Sequence, residues 1–262
     1  MARTSLNNVI RLINEVTTEL PAEKSFLADL KRSIEMTDLK NRKVPTRAYK
    51  PSSMNCIRSM YYQLSGVETD TTPSSYMNIG ICNSGSDIHV RIQKAIEGMK
   101  LNGIECEYID VADFVKSRNL TDLEIISKEG METKLWHKKL NMRFMCDGII
   151  KYKNHYYILE VKTEASFKFN DRKGVDPKHY KQGTAYSIAF GLDEILFLYV
   201  NRDVLDMKTF MFTVTDDMKQ ELIGLITECD GYVERHIAPP IPETVTKKTC
   251  HYCSYKDICR KG

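Results

Sequence analysis

Apolar positions recur three and four residues apart at both ends of the chain, and every second residue through much of its middle. Near the N-terminus Leu6, Val9, Ile10, Ile13 and Val16 form one helical stripe, Pro21 interrupts, and Phe26, Leu27, Leu30 and Ile34 form another. A basic loop is expected from Lys40 to Pro51, then a helix capped by Ser52-Ser53 with Cys56 in its first turn. Ile88, Ile92, Ala95 and Ile96 predict a helix from Ser84 or Ser86 to Met99, with His89 and Gln93 one turn apart on an adjacent face. Strands are expected near Ile104 to Val111, Leu123 to Ile126 and Lys134 to Leu140. Ala165 to Val175 reads as a mobile loop rich in Lys, Arg and Phe. Asp176-Pro177 opens a helix that Gly191 closes, placing Gln182 and Tyr186 on one face. Glu194 to Val200, Lys208 to Val214 and Thr215 to His236 predict two strands and a last helix. The order predicts an α/β fold: a mixed central sheet flanked by helices.

The strongest chemical signal lies in mid-chain. Met145 to Ile150 and Ile158 to Lys162 are strand-like, and Lys153-Asn154 between them suits a two-residue turn. Asp147 and Glu160 each stand six residues out from that turn, so the hairpin sets them directly opposite. Facing Cβ atoms are then ~5 Å apart, close enough for two carboxylates to share a divalent cation. Alternation puts Ile158, Glu160 and Lys162 on one face and Tyr157, Leu159 and Val161 on the other. An acid pair beside an ammonium is suited to cleaving a phosphodiester.

At 262 residues, 28% charged and 42% hydrophobic, the chain has the composition of a globular protein with one sizeable core. Its net charge of +3 does not by itself announce a nucleic-acid binder. No apolar run reaches the ~18 residues of a membrane span, and the N-terminus has no signal-peptide core, which predicts a cytoplasmic protein with no membrane partner. In that compartment eight cysteines call for a role other than disulfides. Cys82, Cys106, Cys146 and Cys229 stand alone and are expected to be small buried hydrophobes, with Cys146 facing away from the acid pair. Cys250-x2-Cys253-x5-Cys259 has the spacing of metal-binding thiolates, and Cys56 is the candidate fourth ligand. Coordination by four cysteines suits zinc and an iron–sulfur cluster alike.

These features together resemble the PD-(D/E)XK nuclease superfamily, in the RecB-like branch that includes the AddB nuclease domain and the exonuclease of CRISPR spacer acquisition. The resemblance covers about residues 50 to 262 and rests on six matches in order. They are Cys56 with Tyr62, His89, Asp147-Gly148, Glu160-Val161-Lys162, Gln182-x3-Tyr186 and the C-terminal cysteines. Phe144 stands three before Asp147, where many members carry glycine.

The resemblance implies a restriction-endonuclease-like domain over 46–262 with a helical extension over 1–45, which could serve a protein partner. It implies Mg²⁺ or Mn²⁺ on His89, Asp147, Glu160 and the Val161 carbonyl. Lys162 would act on the attacking water or the phosphorus charge, and Gln182 and Tyr186 on the DNA strand. A [4Fe–4S] cluster on Cys56, Cys250, Cys253 and Cys259 would staple the two ends of the domain. The expected activity is a DNA exonuclease on single-stranded or end-containing DNA, in recombination, repair or phage replication in a bacterial or phage-infected cell. The alternatives are an endonuclease, a non-catalytic DNA-binding protein on the same fold, and a zinc-containing partner-binding protein.

Overall fold

The computed structural model describes residues 21–41, 46–69, 74–243, 245–246, 249–250 and 253–260. The helix expected over Leu6 to Val16 lies outside them. The chain divides into two compact units, residues 1–43 with 72–81 and residues 44–71 with 82–262. In the first, α1 (Ala22–Asn41) extends into the stretch expected to be a basic loop. It buries none of its residues, and Phe26, Leu27 and Leu30 are exposed. Glu35 Oε1 accepts the Tyr76 backbone N–H at 2.9 Å, and the Lys31 ammonium sits 4.7 Å from the Tyr76 ring centroid.

The second unit holds all the predicted chemistry. Ser52 and Ser53 belong to a short 3-10 turn, and Cys56 itself takes the N-cap position of α2 (Ile57–Leu64). The next helix, α3 (Tyr76–Leu101), begins well before the expected Ser84. Strand β1 (Cys106–Ile109) is cut short because the Asp110 carboxylate accepts the Asp113 N–H at 3.0 Å, capping α4 (Val111–Ser117). Three strands follow, β2 (Leu123–Glu129), β3 (Glu132–His137) and β4 (Met142–Cys146), then the hairpin β5 (Gly148–Tyr152) and β6 (His155–Glu164). Helices α5 (Ser166–Asp171) and α6 (Tyr180–Phe190) lead to β7 (Glu194–Asn201), β8 (Met207–Thr213), α7 (Asp216–Glu234) and the short α8 (Lys256–Cys259).

The strands form two sheets. One is a meander, β2-β3-β4; the other is five-stranded, β1-β5-β6-β7-β8, antiparallel except for the parallel pair β6–β7. A parallel pair needs a crossover, which α5 and α6 supply. The expected α/β class, a mixed sheet flanked by helices, is therefore the fold observed.

Period-2 alternation divides the core. Ile149, Ile158, Ile195, Phe197 and Tyr199 join the larger cluster with residues of α2, α6 and α7. Ile150, Leu159, Val161, Leu198 and Val200 join the second cluster with Ile88 and, at its edge, Ile92 and Ile96 of α3. Strand β6 is thus covered on both faces, with Ile158 and Leu159 on opposite sides as the alternation predicted.

The stretch expected to be a mobile loop after β6 is instead pinned. Arg172 reaches back in bidentate contact to Glu164, with Nε–Oε2 at 2.5 Å and Nη2–Oε1 at 2.6 Å. Its guanidinium also lies 4.2 Å from the Tyr199 ring centroid and 3.3 Å from Asp176 Oδ2. Glu164 is buried, so the pair is shielded from water. Removing one member leaves the other charge uncompensated. Glu164→Gln should cost about 3–5 kcal/mol, read from the urea midpoint; a loss under about 1 kcal/mol, the scale of an exposed pair, would show that Arg172 finds solvent instead.

Candidate active site

Asp147 sits at a one-residue bend between β4, the last strand of the meander, and β5 of the five-stranded sheet. It is not in mid-strand, as the apolar pattern predicted, but the register expected of the hairpin holds. Gly148 pairs with Leu159, Ile149 with Ile158 and Tyr152 with His155 across the Lys153-Asn154 turn. One further step along that ladder brings Asp147 opposite Glu160. Both turn residues have positive φ, 47° and 64°, the backbone of a type I′ hairpin turn.

The bend is fixed from the backbone outward. The Asp147 carbonyl accepts from Gln93 Nε2 at 2.7 Å and from the Tyr108 hydroxyl at 2.9 Å. Its carboxylate is divided between two partners: Oδ1 lies 3.0 Å from His89 Nδ1, and Oδ2 accepts the Val161 N–H at 2.7 Å. His89 and Gln93, one turn apart on α3, thus hold the side chain and the main chain of the same aspartate. Burial draws the His89 pKa down, but the hydrogen bond to Asp147 and the charges of Asp147 and Glu160 outweigh it and raise the value overall.

Glu160 lies deeper. It is 3% exposed. Its Oε1 accepts from Lys162 Nζ at 2.5 Å and from Gln182 Nε2 at 2.7 Å. Its Oε2 is buried with no hydrogen-bond partner. Burial raises the Glu160 pKa above the usual carboxylate range; Lys162 opposes the shift and Asp147 adds to it.

Gln182 and Tyr186 were expected to touch DNA, but both are buried. Gln182 Oε1 accepts from Lys162 at 2.9 Å, its Nε2 also donates to the Tyr186 hydroxyl at 2.9 Å, and that hydroxyl donates to the Met145 carbonyl at 2.8 Å. The helix motif therefore holds Glu160 and Lys162 in place from behind. Val161 contributes its N–H to Asp147 and its side chain to the second core.

A third acidic residue, absent from the sequence reading, enters here. Ligand atoms of His89, Glu132 and Asp147 all lie within 4.8 Å of one another, the only such set among the described residues. The signal that could have found Glu132 is a second hairpin register: Thr133 pairs with Cys146, so Glu132 stands opposite Asp147.

The C-terminal cysteines reach the N-terminal end of the same unit. Tyr255 packs on Tyr62 of α2 with ring centroids 5.6 Å apart, and Cys253 Sγ lies 4.0 Å from Ser59 Oγ. Burial raises the Cys56 thiol pKa, the first-turn amides of Ser59 and Arg58 oppose the shift, and neighbouring Cys253 and Cys259 add to it. Cys250 joins through its carbonyl, which accepts the Cys253 N–H at 3.2 Å. All four are half-buried free thiols. Among the other cysteines, Cys106, Cys146 and Cys229 are buried as expected, but Cys82 is exposed. Cys146 also lies beside the site, with its pKa raised first by burial and then by Glu160 and Asp147.

No protein-family model matches the chain, and no curated protein matches it by sequence. Among solved structures, that of SSO0001 matches with a TM-score of 0.50 at 13% identity, covering 88% of this chain and 96% of that one. The likeness is one of fold. An alkaline exonuclease, LHK-Exo from Laribacter hongkongensis, matches at 11% identity with a TM-score of 0.37, covering 78% of this chain and 93% of that one. The same exonuclease in complex with dAMP matches at 11% identity and 0.37 over 72% and 89% of the two chains. At that TM-score the likeness bears on neither the fold nor the site. No described helix is long and apolar enough to cross a membrane.

Two expectations follow from the geometry. A Cβ on Gly148 would meet Tyr108 Cε2 at 2.5 Å. The ring cannot easily yield, because its hydroxyl is bonded to the Asp147 carbonyl and, at 3.3 Å, to that of Met131. Gly148→Ala should therefore cost about 1–3 kcal/mol, with a matching loss in thermal stability; an unchanged Tm would mean the bend is not held by this contact.

The second concerns His179, whose Nδ1 lies 3.0 Å from the Tyr199 hydroxyl. Burial, with Lys162 and Lys178 behind it, pushes its pKa down to about 3. Its value in the unfolded chain is about 6.5, so unfolding takes up a proton between the two. Its contribution to stability is complete above pH ~6.5 and is lost as pH falls toward 3. His179→Gln should flatten that slope in urea titrations across the window, and an unaltered slope would discount the burial effect.

Proposed function

We propose that this protein is a divalent-metal-dependent DNA exonuclease of the PD-(D/E)XK type. The observation that carries the reading is the junction of Asp147 and Glu160, opposed across one hairpin, with Lys162 bound to Glu160 and held there by Gln182. The donor set fits a hard cation. The ligand atoms of His89, Glu132 and Asp147 converge, and nearby Glu160 Oε2 is a buried oxygen without a partner, which a metal ligand bond would satisfy. Mg²⁺ or Mn²⁺ would be held by His89, Asp147, Glu160 and the Val161 carbonyl. Such an ion supplies an activated water and neutralises charge at the scissile phosphate.

The protein's own groups supply the rest. Lys162, partly exposed and tethered to Glu160, presents an ammonium at the edge of the site. There it can donate to an attacking water or to a phosphate oxygen bearing developing charge. Gln182 fixes the rotamers of Lys162 and Glu160 together, and Tyr186 fixes Gln182. His89 and the Val161 N–H divide the two oxygens of Asp147 and so set the direction of its lone pairs. The preference for ends over internal sites, and for single strands, comes from the family resemblance.

Cys56, Cys250, Cys253 and Cys259 are proposed to hold a [4Fe–4S] cluster with a stapling role. Tetrahedral zinc on the same four thiolates is the alternative.

The test is loss of end label from single-stranded and duplex DNA by anaerobically purified protein, with Mn²⁺ or EDTA. Cleavage should require the ion and fall roughly 10²–10³-fold in Asp147→Asn, Glu160→Gln and Lys162→Ala, the scale of removing one electrostatic stabiliser. Activity in EDTA, or full activity in Asp147→Asn, would refute the reading. Cutting of covalently closed circles would make it an endonuclease. Cys250→Ser should abolish the broad absorption near ~400 nm expected of the cluster and lower solubility; full iron retention would exclude Cys250 as a ligand.

A further inference from the structure

Lys162 Nζ and Gln182 Oε1 meet at 2.9 Å, so residues 163–181 leave the candidate site and return to it. This is the stretch that Arg172 pins to buried Glu164. Alternation along β6 puts Glu160, Lys162 and Glu164 on one face, and each two-residue step advances about 6.6 Å. Glu164, with the Arg172 guanidinium bonded to it, therefore lies one such step past Lys162. Arg172 also lines an open pocket of about 490 Å³, within the range of roughly 300–1,000 Å³ that suits small ligands.

Phe167, Lys168, Asp171 and Lys173 share that pocket. The Phe167 side chain is presented to solvent, 71% exposed, from a backbone that is held on both sides. Before it, the Ser166 N–H and hydroxyl bond Asp203 Oδ2 at 2.7 and 2.8 Å. After it, Phe169 is buried and its carbonyl accepts from Lys208 Nζ at 2.7 Å. A ring fixed in this way loses little freedom when a ligand covers it. Arg172 is committed to Glu164, but two lysines outweigh Asp171, so the pocket favours an anion. An aromatic face beside ammonium groups suits a nucleotide, whose base stacks and whose phosphate is neutralised. A duplex keeps its bases paired and stacked inside, whereas a single strand offers them to the ring.

We propose that this pocket binds one unpaired nucleotide of single-stranded DNA, with its base stacked on Phe167 and its phosphate met by Lys168 and Lys173. The inference rests on the nuclease reading in placing that nucleotide beside the phosphate that Lys162 faces.

Fluorescence anisotropy with end-labelled oligo(dT) and a blunt duplex of equal length tests this, using the full-length, anaerobically purified chain in EDTA so that neither DNA is cut. F167A should weaken oligo(dT) binding about 5- to 150-fold, the range for losing one base–aromatic stack, and leave duplex binding unchanged. F167L, which keeps apolar bulk without the ring, should lose binding similarly, and F167Y should restore it. K173A should reduce the slope of log K against log salt by about 0.7, the share of one phosphate contact on a single strand. Unchanged oligo(dT) binding in F167A, an equal loss on the duplex, or an F167L protein that binds like the wild type overturns the proposal; so does an unaltered salt slope in K173A. The two readings fail separately. Weakened oligo(dT) binding in F167A with no metal-dependent cleavage by the wild type removes the nuclease and keeps the pocket, while cleavage with unaltered binding in F167A does the reverse.

Discussion

The geometry of the site depends on how the chain is held at Asp147. A single residue separates the last strand of the meander from β5 of the larger sheet, and its carbonyl, between two ladders, needs partners from outside them. Gln93 and Tyr108 supply those partners from a helix and an edge strand. With the carbonyl fixed, the side chain has one direction left. There it meets His89, the Val161 N–H, Glu132 and the strand bearing Glu160. The absence of a side chain at Gly148 is part of the same arrangement, since the Tyr108 ring occupies the space where one would lie.

That arrangement explains what could be read from the sequence. The β5–β6 hairpin is local, its turn is two residues long, and a two-residue turn fixes register, so the opposition of Asp147 and Glu160 followed from counting. The helix carrying Gln182 and Tyr186 was legible because Asp176-Pro177 and Gly191 mark its ends. The two faces of β6 followed from simple alternation. Where the reading failed, the deciding interaction was tertiary. Nothing local indicates that Arg172 turns back to Glu164 and orders an apparently loose, basic stretch. Gln182 and Tyr186 looked like polar groups available to a ligand because their partner, Glu160, lies across the fold.

Glu132 is the instructive case. It is one of many acidic residues, it belongs to no motif, and its strand begins where the β2–β3 turn ends. Only pairing with a strand that itself stops at Asp147 gives it meaning. A register argument that found Glu160 from one side of Asp147 would have found Glu132 from the other, had β4 been recognised as a separate strand. The Met145 to Ile150 stretch looked continuous because both strands are apolar, and the bend between them is one residue long.

Strand β6 lies inside the sheet with a hydrophobic cluster against each face, and it carries Glu160, Val161 and Lys162 at its centre. Regions that open on their own are those with few buried apolar contacts and exposed backbone bonds. This strand has neither property. In hydrogen exchange, the Val161 amide bonded to Asp147 should open only when the whole unit unfolds. The groups proposed to be catalytic therefore belong to a part of the unit expected to exchange slowly, and any motion needed to admit or release the proposed DNA substrate would come from the elements around them.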